Sequence, residues 1–171
     1  MSITSDDRTC LAQAEELLAL EDRLLRDRQF RQWLALFTVD GAYWIPVSPA
    51  QTDPRLAPSH IHEARPALDA RIERLYDARV LPQLPVSRVS RLRGRPWLVS
   101  NQSEGMEVVS PFQVIEARQI PDGDDDLRIF AGECLYRLRP APDEPCGWRI
   151  KLKRVDLINS ESAFFGVSIL I

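Results

Sequence analysis

Leu11, Ala14, Leu17, Leu18, Glu21, Leu24 and Leu25 fall at three- and four-residue steps, the spacing that turns one face of a helix toward a core. Ser5, followed by Asp6 and Asp7, supplies an N-cap and an acidic first turn, so the pattern predicts a helix from there to about Asp27. After a break, Phe30, Trp33, Leu34 and Phe37 repeat the same spacing and predict a second, short helix. Asp40-Gly41 is a turn signal, and Ala42-Tyr43-Trp44-Ile45 has strand composition before Pro46 blocks further pairing. From Pro46 to Pro58 the periodicity stops and Pro, Ser, Gln, Thr and Asp predict a long exposed loop, the kind of segment that carries contacts. Pro66, Leu68, Ile72, Leu75 and Tyr76 mark a third helix with proline in its first turn, and Pro82 and Pro85 end that region.

Beyond Val86 the period changes from helical to strand-like. Trp148, Ile150 and Leu152 alternate with Arg149, Lys151 and Lys153, which predicts a half-buried strand with its lysines outward. The apolar parity then moves to Val155 and Leu157, so a bulge or bend is expected near Arg154. Phe130, Gly132, Cys134, Tyr136 and Leu138 define a second inward face, and Met106, Val108, Phe112 and Val114 a third. Asp122-Gly123-Asp124 and the stretch from Pro142 to Gly147 supply polar turns. Helices first and long antiparallel strands afterwards indicate an α+β fold, read as one domain over residues 1–171 with no internal repeat.

Composition adds mainly exclusions. A net charge of −3 gives no electrostatic reason to expect nucleic acid or an anionic membrane as partner. No apolar run approaches the length of a membrane span, and MSITSDDRTC lacks the basic and hydrophobic parts of a signal peptide, so a cytoplasmic protein is expected. Cys10, Cys134 and Cys146 are odd in number and far apart, which argues against a disulfide framework or a zinc site. The 7 glycines form neither a G-x-G-x-x-G nor a P-loop pattern, and no G-x-S-x-G elbow is present.

The run from Glu21 to Pro46 resembles the small (beta) subunit of Rieske-type aromatic-ring-hydroxylating dioxygenases. The residues that carry the likeness are Glu21, Leu24, Leu25, Arg28, Phe30, Trp33, Leu34, Leu36, Asp40, Tyr43, Trp44 and Pro46. Further along, Leu68 to Leu75 is similar to the family's third helix, and Ser87-Arg88, Arg91-Leu92 and Val99-Ser100-Asn101 to its S-R-x-x-R-L and V-S-N segments. Phe130-Ala131-Gly132, Trp148-Arg149-Ile150 and the tail Phe164 to Ser168 follow in the family's order. The chain departs from the family at His60-Ile61-His62-Glu63, where a Tyr-Asp-Asp run is usual, and in an expanded Gly94-Arg95-Pro96-Trp97. The resemblance implies a cystatin-like (nuclear-transport-factor-2-like) cone, a curved, mostly antiparallel mixed sheet wrapped around the N-terminal helices. It also implies a non-catalytic subunit that orders a large (alpha) subunit carrying a Rieske [2Fe–2S] cluster and a mononuclear Fe(II), as a trimer of small chains on a trimer of large ones.

Residue chemistry agrees that catalysis belongs elsewhere. A Rieske cluster takes two cysteines and two histidines, normally as C-x-H and C-x-x-H, and no such pairing occurs. A mononuclear iron takes two histidines and a carboxylate. His60 and His62 would share a face if extended, with Glu63 or Asp69 nearby, but a solvated or interface pair is the simpler reading. The alternative function is a free-standing isomerase or dehydratase on the same cone. Its acid–base groups would come from Asp40, Tyr43, His60, His62 and Tyr76, against which Asp40 reads as a turn residue and Tyr43 as a strand residue with a wet tip. Arg88, Arg91, Arg93 and Arg95 lack the interleaved aromatics of a nucleic-acid surface and suit ion pairs within the sheet or across a subunit contact. The expected inter-chain contacts are Arg88, Arg91, Arg93 and Trp97 with the loop bearing Gln51, Asp53 and Arg55.

Overall fold

The computed structural model describes residues 4–77, 87–118, 126–161 and 169–171. Helix α1 spans Ser5–Arg26, α2 Phe30–Ala35 and α3 Arg65–Tyr76. The strands are β1 Phe37–Pro46, β2 Ser59–Ala64, β3 Arg88–Arg93, β4 Trp97–Gln102, β5 Gly105–Arg118, β6 Asp126–Pro140 and β7 Trp148–Leu157. They form one sheet in the order β2-β1-β7-β6-β5-β3, with β4 also paired to β5. β5 is long enough to take β3 along Phe112–Ala117 and β4 along Gly105–Val109. β1 and β7 run parallel, and the other pairs are antiparallel.

The three helices pack on one face of this sheet. Ala14, Leu17, Leu18, Leu24 and Leu25 of α1 meet Phe30, Trp33 and Leu34 of α2, Leu68 and Ile72 of α3, and the inward residues of β5, β6 and β7. The Trp33 ring sits edge-on to Phe37 at 4.9 Å and to Tyr43 at 6.0 Å between centroids, the arrangement that aromatic quadrupoles favour. The inward faces expected on β5 and β6 are present, with Met106, Val108, Val114, Phe130, Cys134, Tyr136 and Leu138 buried. No described helix is long and apolar enough to cross a membrane.

Several local expectations are corrected. The first helix is capped by Thr4, not Ser5: its hydroxyl accepts from the Asp7 amide while the Asp7 carboxylate accepts from the Thr4 amide, a reciprocal capping box. Phe37 leaves α2 and starts β1, because the Trp33–Phe37 contact is met as well from a strand as from another helical turn. Asp40-Gly41 makes no chain reversal; it forms an irregularity inside β1, where four residues lie between Phe37 and Ala42 opposite the single residue between Ile150 and Leu152. Gly41 suits this place, since a Cβ would lie 3.0 Å from the Ile150 carbonyl oxygen and the two backbones would have to move apart slightly. The His60–Glu63 segment, not expected as a strand, pairs with β1 as an edge strand.

The largest correction is in β7. The bulge lies at Lys151 rather than Arg154, for β6 pairs Leu138 with Ile150 and Arg137 with Leu152 and skips the residue between. Leu152 therefore turns outward and Lys153 turns into the core, opposite to the simple alternation. The proline, turn and tail signals at Pro82, Pro85, Asp122–Asp124 and Phe164–Ser168 lie outside the described residues.

Candidate functional site

Glu21 stands on the apolar face of α1, between Leu17 and Leu18 on one turn and Leu24 and Leu25 on the next, and is fully buried. A carboxylate there is tolerable only if its lone pairs are satisfied. One oxygen accepts from Trp33 Nε1 at 2.9 Å and from Lys153 Nζ at 2.9 Å. The other accepts from the Tyr136 hydroxyl at 2.6 Å and from Arg93 Nη2 at 3.1 Å. Arg93 also donates to Asp22 at 2.6 and 2.7 Å and to the Tyr136 oxygen at 2.9 Å. Lys153, likewise fully buried, has its ammonium 5.6–5.9 Å from the ring centroids of Trp33, Tyr43 and Tyr136. Two carboxylates and two cations thus close a neutral cluster in the interior of the cone.

Its electrostatics describe a structural unit. Burial alone would raise the Glu21 carboxyl, but Lys153 and Arg93 outweigh it and hold the group at about 2. Burial pushes the Tyr136 phenol well above its usual range, and the Cys134 thiol is raised for the same reason. A general base needs an open lone pair and a proton affinity near the working pH. Glu21 has neither: it stays ionised and both oxygens are occupied.

The residues expected as an alternative acid–base site are dispersed. Tyr43 faces inward and is fully buried; its hydroxyl has no wet tip and accepts from the Ile171 amide at 3.2 Å. Asp40 faces the opposite side of the sheet, where hydrogen bonds from Lys151 and Thr38 hold its carboxyl at about 2. His60 Nε2 lies 2.8 Å from the Ser160 carbonyl oxygen, and His62 is exposed with its ring edge-on to Trp44. The Tyr76 hydroxyl donates to the Arg28 carbonyl at 2.9 Å and accepts from the Phe30 amide at 3.0 Å, tying α3 to the joint between α1 and α2. Among the described residues no group of three or more His, Cys, Asp or Glu is placed to hold a metal ion.

The expected contact residues divide between the inside and the outside of the fold. Arg93 belongs to the buried cluster, and Arg91 donates to the Leu170 carbonyl from a mostly buried position. Arg88 and Trp97 are exposed, Trp97 by 43%. In the loop, Gln51 works as an internal pin: its carbonyl oxygen accepts from the Val47 and Ser48 amides, and its Nε2 donates to the Pro58 carbonyl at 3.0 Å. Arg154 of β7 donates to the Gln51 and Pro49 carbonyls, and Asp53 pairs with Arg55 at 2.6 Å. The loop is thereby held against the outer face of the sheet, beside a shallow trough of about 760 Å³ lined by Thr52, Pro54, Trp44, Arg137 and Lys151 among others. Sequence reasoning missed the buried cluster as a unit. The available signal was Glu21, an acidic residue in the middle of a leucine face.

The sequence matches the ring hydroxylating beta subunit family over residues 20–162. It is 29% identical over 136 residues to the benzene 1,2-dioxygenase subunit beta of Pseudomonas putida, covering 74% of this chain and 71% of that protein. It is 30% identical over 134 residues to the small oxygenase component of the p-cumate 2,3-dioxygenase system of the same species, covering 75% of this chain and 69% of that protein. The fold superposes on the beta subunit of the benzoate 1,2-dioxygenase of Burkholderia mallei with a TM-score of 0.69 at 21% identity, covering 96% of this chain and 97% of that one. With a sequence match running from Leu20 in α1 to Ser162, this chain belongs to the beta subunits of aromatic ring-hydroxylating dioxygenase systems.

Proposed function

We propose that this chain is a non-catalytic scaffold that assembles with, and stabilises, a large oxygenase subunit carrying a Rieske [2Fe–2S] cluster and a mononuclear Fe(II). The observation that carries the reading is the saturated Glu21–Lys153–Arg93–Tyr136 cluster. It occupies the interior of the cone with groups that have no free lone pair to offer a substrate. A free-standing isomerase or dehydratase would need an open acid or base at that place. The assembly takes the form of a trimer of small chains on a trimer of large ones, a closed symmetric arrangement that each heterologous contact can complete. Its contacts on this chain are Trp97 and the loop around Asp53 and Arg55, outward members of the expected set. The iron and the oxygen chemistry reside on the large subunit, where the aromatic ring is bound and oxidised, and the complex works in the cytoplasm.

Co-expression with the large subunit tests this. The purified complex should be brown, with all iron accounted for by the large chain, and sedimentation should give a hexamer; the small chain alone should be colourless and without turnover. Iron-dependent turnover by the isolated small chain would sink the reading, and so would a small chain that stays monomeric beside its partner.

A further inference from the structure

A separate hollow of about 260 Å³ opens where the end of α1, the start of β3 and residues 169–171 meet. Leu25, Phe30 and Leu170 form apolar walls, and four arginines, Arg26, Arg28, Arg88 and Arg91, also line it. Among the described residues that line it none is acidic, on a chain whose net charge is −3. Arg26 is engaged by Asp27 at 2.9 Å.

Two of the other arginines are placed at a cost. Arg91 is mostly withdrawn from water; its Nη2 donates to the Leu170 carbonyl, but its buried Nε has no partner among the described residues. Desolvation lowers the proton affinity of its guanidinium. Arg28 has φ 55 immediately beyond the end of α1, the left-handed position that glycine ordinarily takes because an L side chain is disfavoured there. Its guanidinium lies 5.1 Å from the centroid of the Phe30 ring, one of the walls of the same hollow. Strained backbone and an unsatisfied buried donor gather where a ligand is to be met.

We propose that this hollow binds a small carboxylic acid with an apolar body, aryl or branched alkyl, its carboxylate held by Arg28, Arg88 and Arg91 and its body packed against Leu25, Phe30 and Leu170. The guanidinium fork matches a planar carboxylate in two-point geometry. Inorganic phosphate would bring higher charge and more acceptor oxygens than a lining with this much hydrocarbon can satisfy, and a neutral analogue would offer Arg28 and Arg88 no counter-charge. The volume suits a body of about one ring.

Calorimetric titration of the full chain with benzoate, inorganic phosphate and benzyl alcohol tests this. Benzoate should bind at a single saturable site, weaken as salt rises, and exceed both other probes by at least about tenfold. The double variant Arg28→Gln with Arg88→Gln changes the half-buried Arg28 beside the Phe30 ring and the exposed Arg88; it should still unfold cooperatively and lose at least about tenfold in benzoate affinity. Absence of benzoate binding up to about 10 mM overturns the proposal. So does equal affinity for the double variant, or phosphate binding as tight as benzoate. Displacement of benzoate on adding the large subunit would assign the hollow to a carboxylate side chain of that partner and overturn the small-acid reading.

Discussion

Lys151 and Lys153 lie two residues apart in β7, and each meets a carboxylate. Lys151 reaches Asp40 at 2.5 Å with side chains 30% and 52% exposed, whereas Lys153 reaches Glu21 at 2.9 Å with both at 0%. The shorter contact is the weaker constraint on the fold. On the outer face water competes for both partners and salt screens them, so removing one leaves the other solvated. On the inner face there is no water to take over, so a partner left behind is an unpaired buried charge. Distance alone does not rank ion pairs; the solvent available to the abandoned partner does.

What separates the two lysines is one extra residue in the ladder, and moving it should give the largest effect. Trp148 and Ile150 face inward before the bulge, and Lys153, Val155 and Leu157 after it. Deleting Arg154 would break the later alternation and turn Val155 and Leu157 outward. Each buried aliphatic lost costs about 1.5–3 kcal/mol, so this variant should fail to fold cooperatively, as judged by near-ultraviolet circular dichroism. Deleting Lys151 instead would leave Ile150, Lys153, Val155 and Leu157 on regular alternate positions. That variant should give a cooperative unfolding transition, and a molten chain would show that the bulge is needed for more than parity.

The next effect is to break the buried pair without altering the ladder. Glu21→Ala should destabilise by about 3–5 kcal/mol in denaturant unfolding, because Lys153 is left charged and dry. Lys153→Met alone should cost less, since Glu21 keeps Arg93, Tyr136 and Trp33. Glu21→Leu combined with Lys153→Met should recover part of the loss, and strictly additive losses would deny the coupling.

Acid should reproduce part of this in the unaltered chain. Glu21 has a folded-state value of about 2 against 4.5 as reference, so the unfolded state binds its proton first as pH falls. Its stabilisation is therefore fully present above about pH 4.5 and is lost progressively as pH falls toward 2, a contribution of about 3 kcal/mol. Glu21→Gln should flatten that part of the stability–pH curve, and an unchanged curve would remove Glu21 as its source. The smallest effect belongs to the outer face, where Asp40→Asn should leave the thermal midpoint within the scatter of repeated scans.

The sequence determined the elements with strong periodicity. The leucine face of α1, the proline-started α3 and the alternation along β5 and β6 are dictated by hydrocarbon that must leave water at fixed spacing, and each appears where that spacing puts it. Motif order along the chain also carried the family. Tertiary structure alone decided the polar interior. Lys153 reads as an outward residue until the β6 register exposes the bulge at Lys151, and Asp40-Gly41 reads as a turn until Ile150 is packed against it. Tyr43 looks half-wet until the Ile171 amide reaches its hydroxyl, and Arg93 looks like a surface cation until α1 brings Glu21 and Asp22 to it. The physical reason is common to all four. Hydrophobic burial is additive and local enough to be read from spacing, whereas the state of a polar group depends on partners up to 132 residues distant for this cluster, and on whether water reaches them.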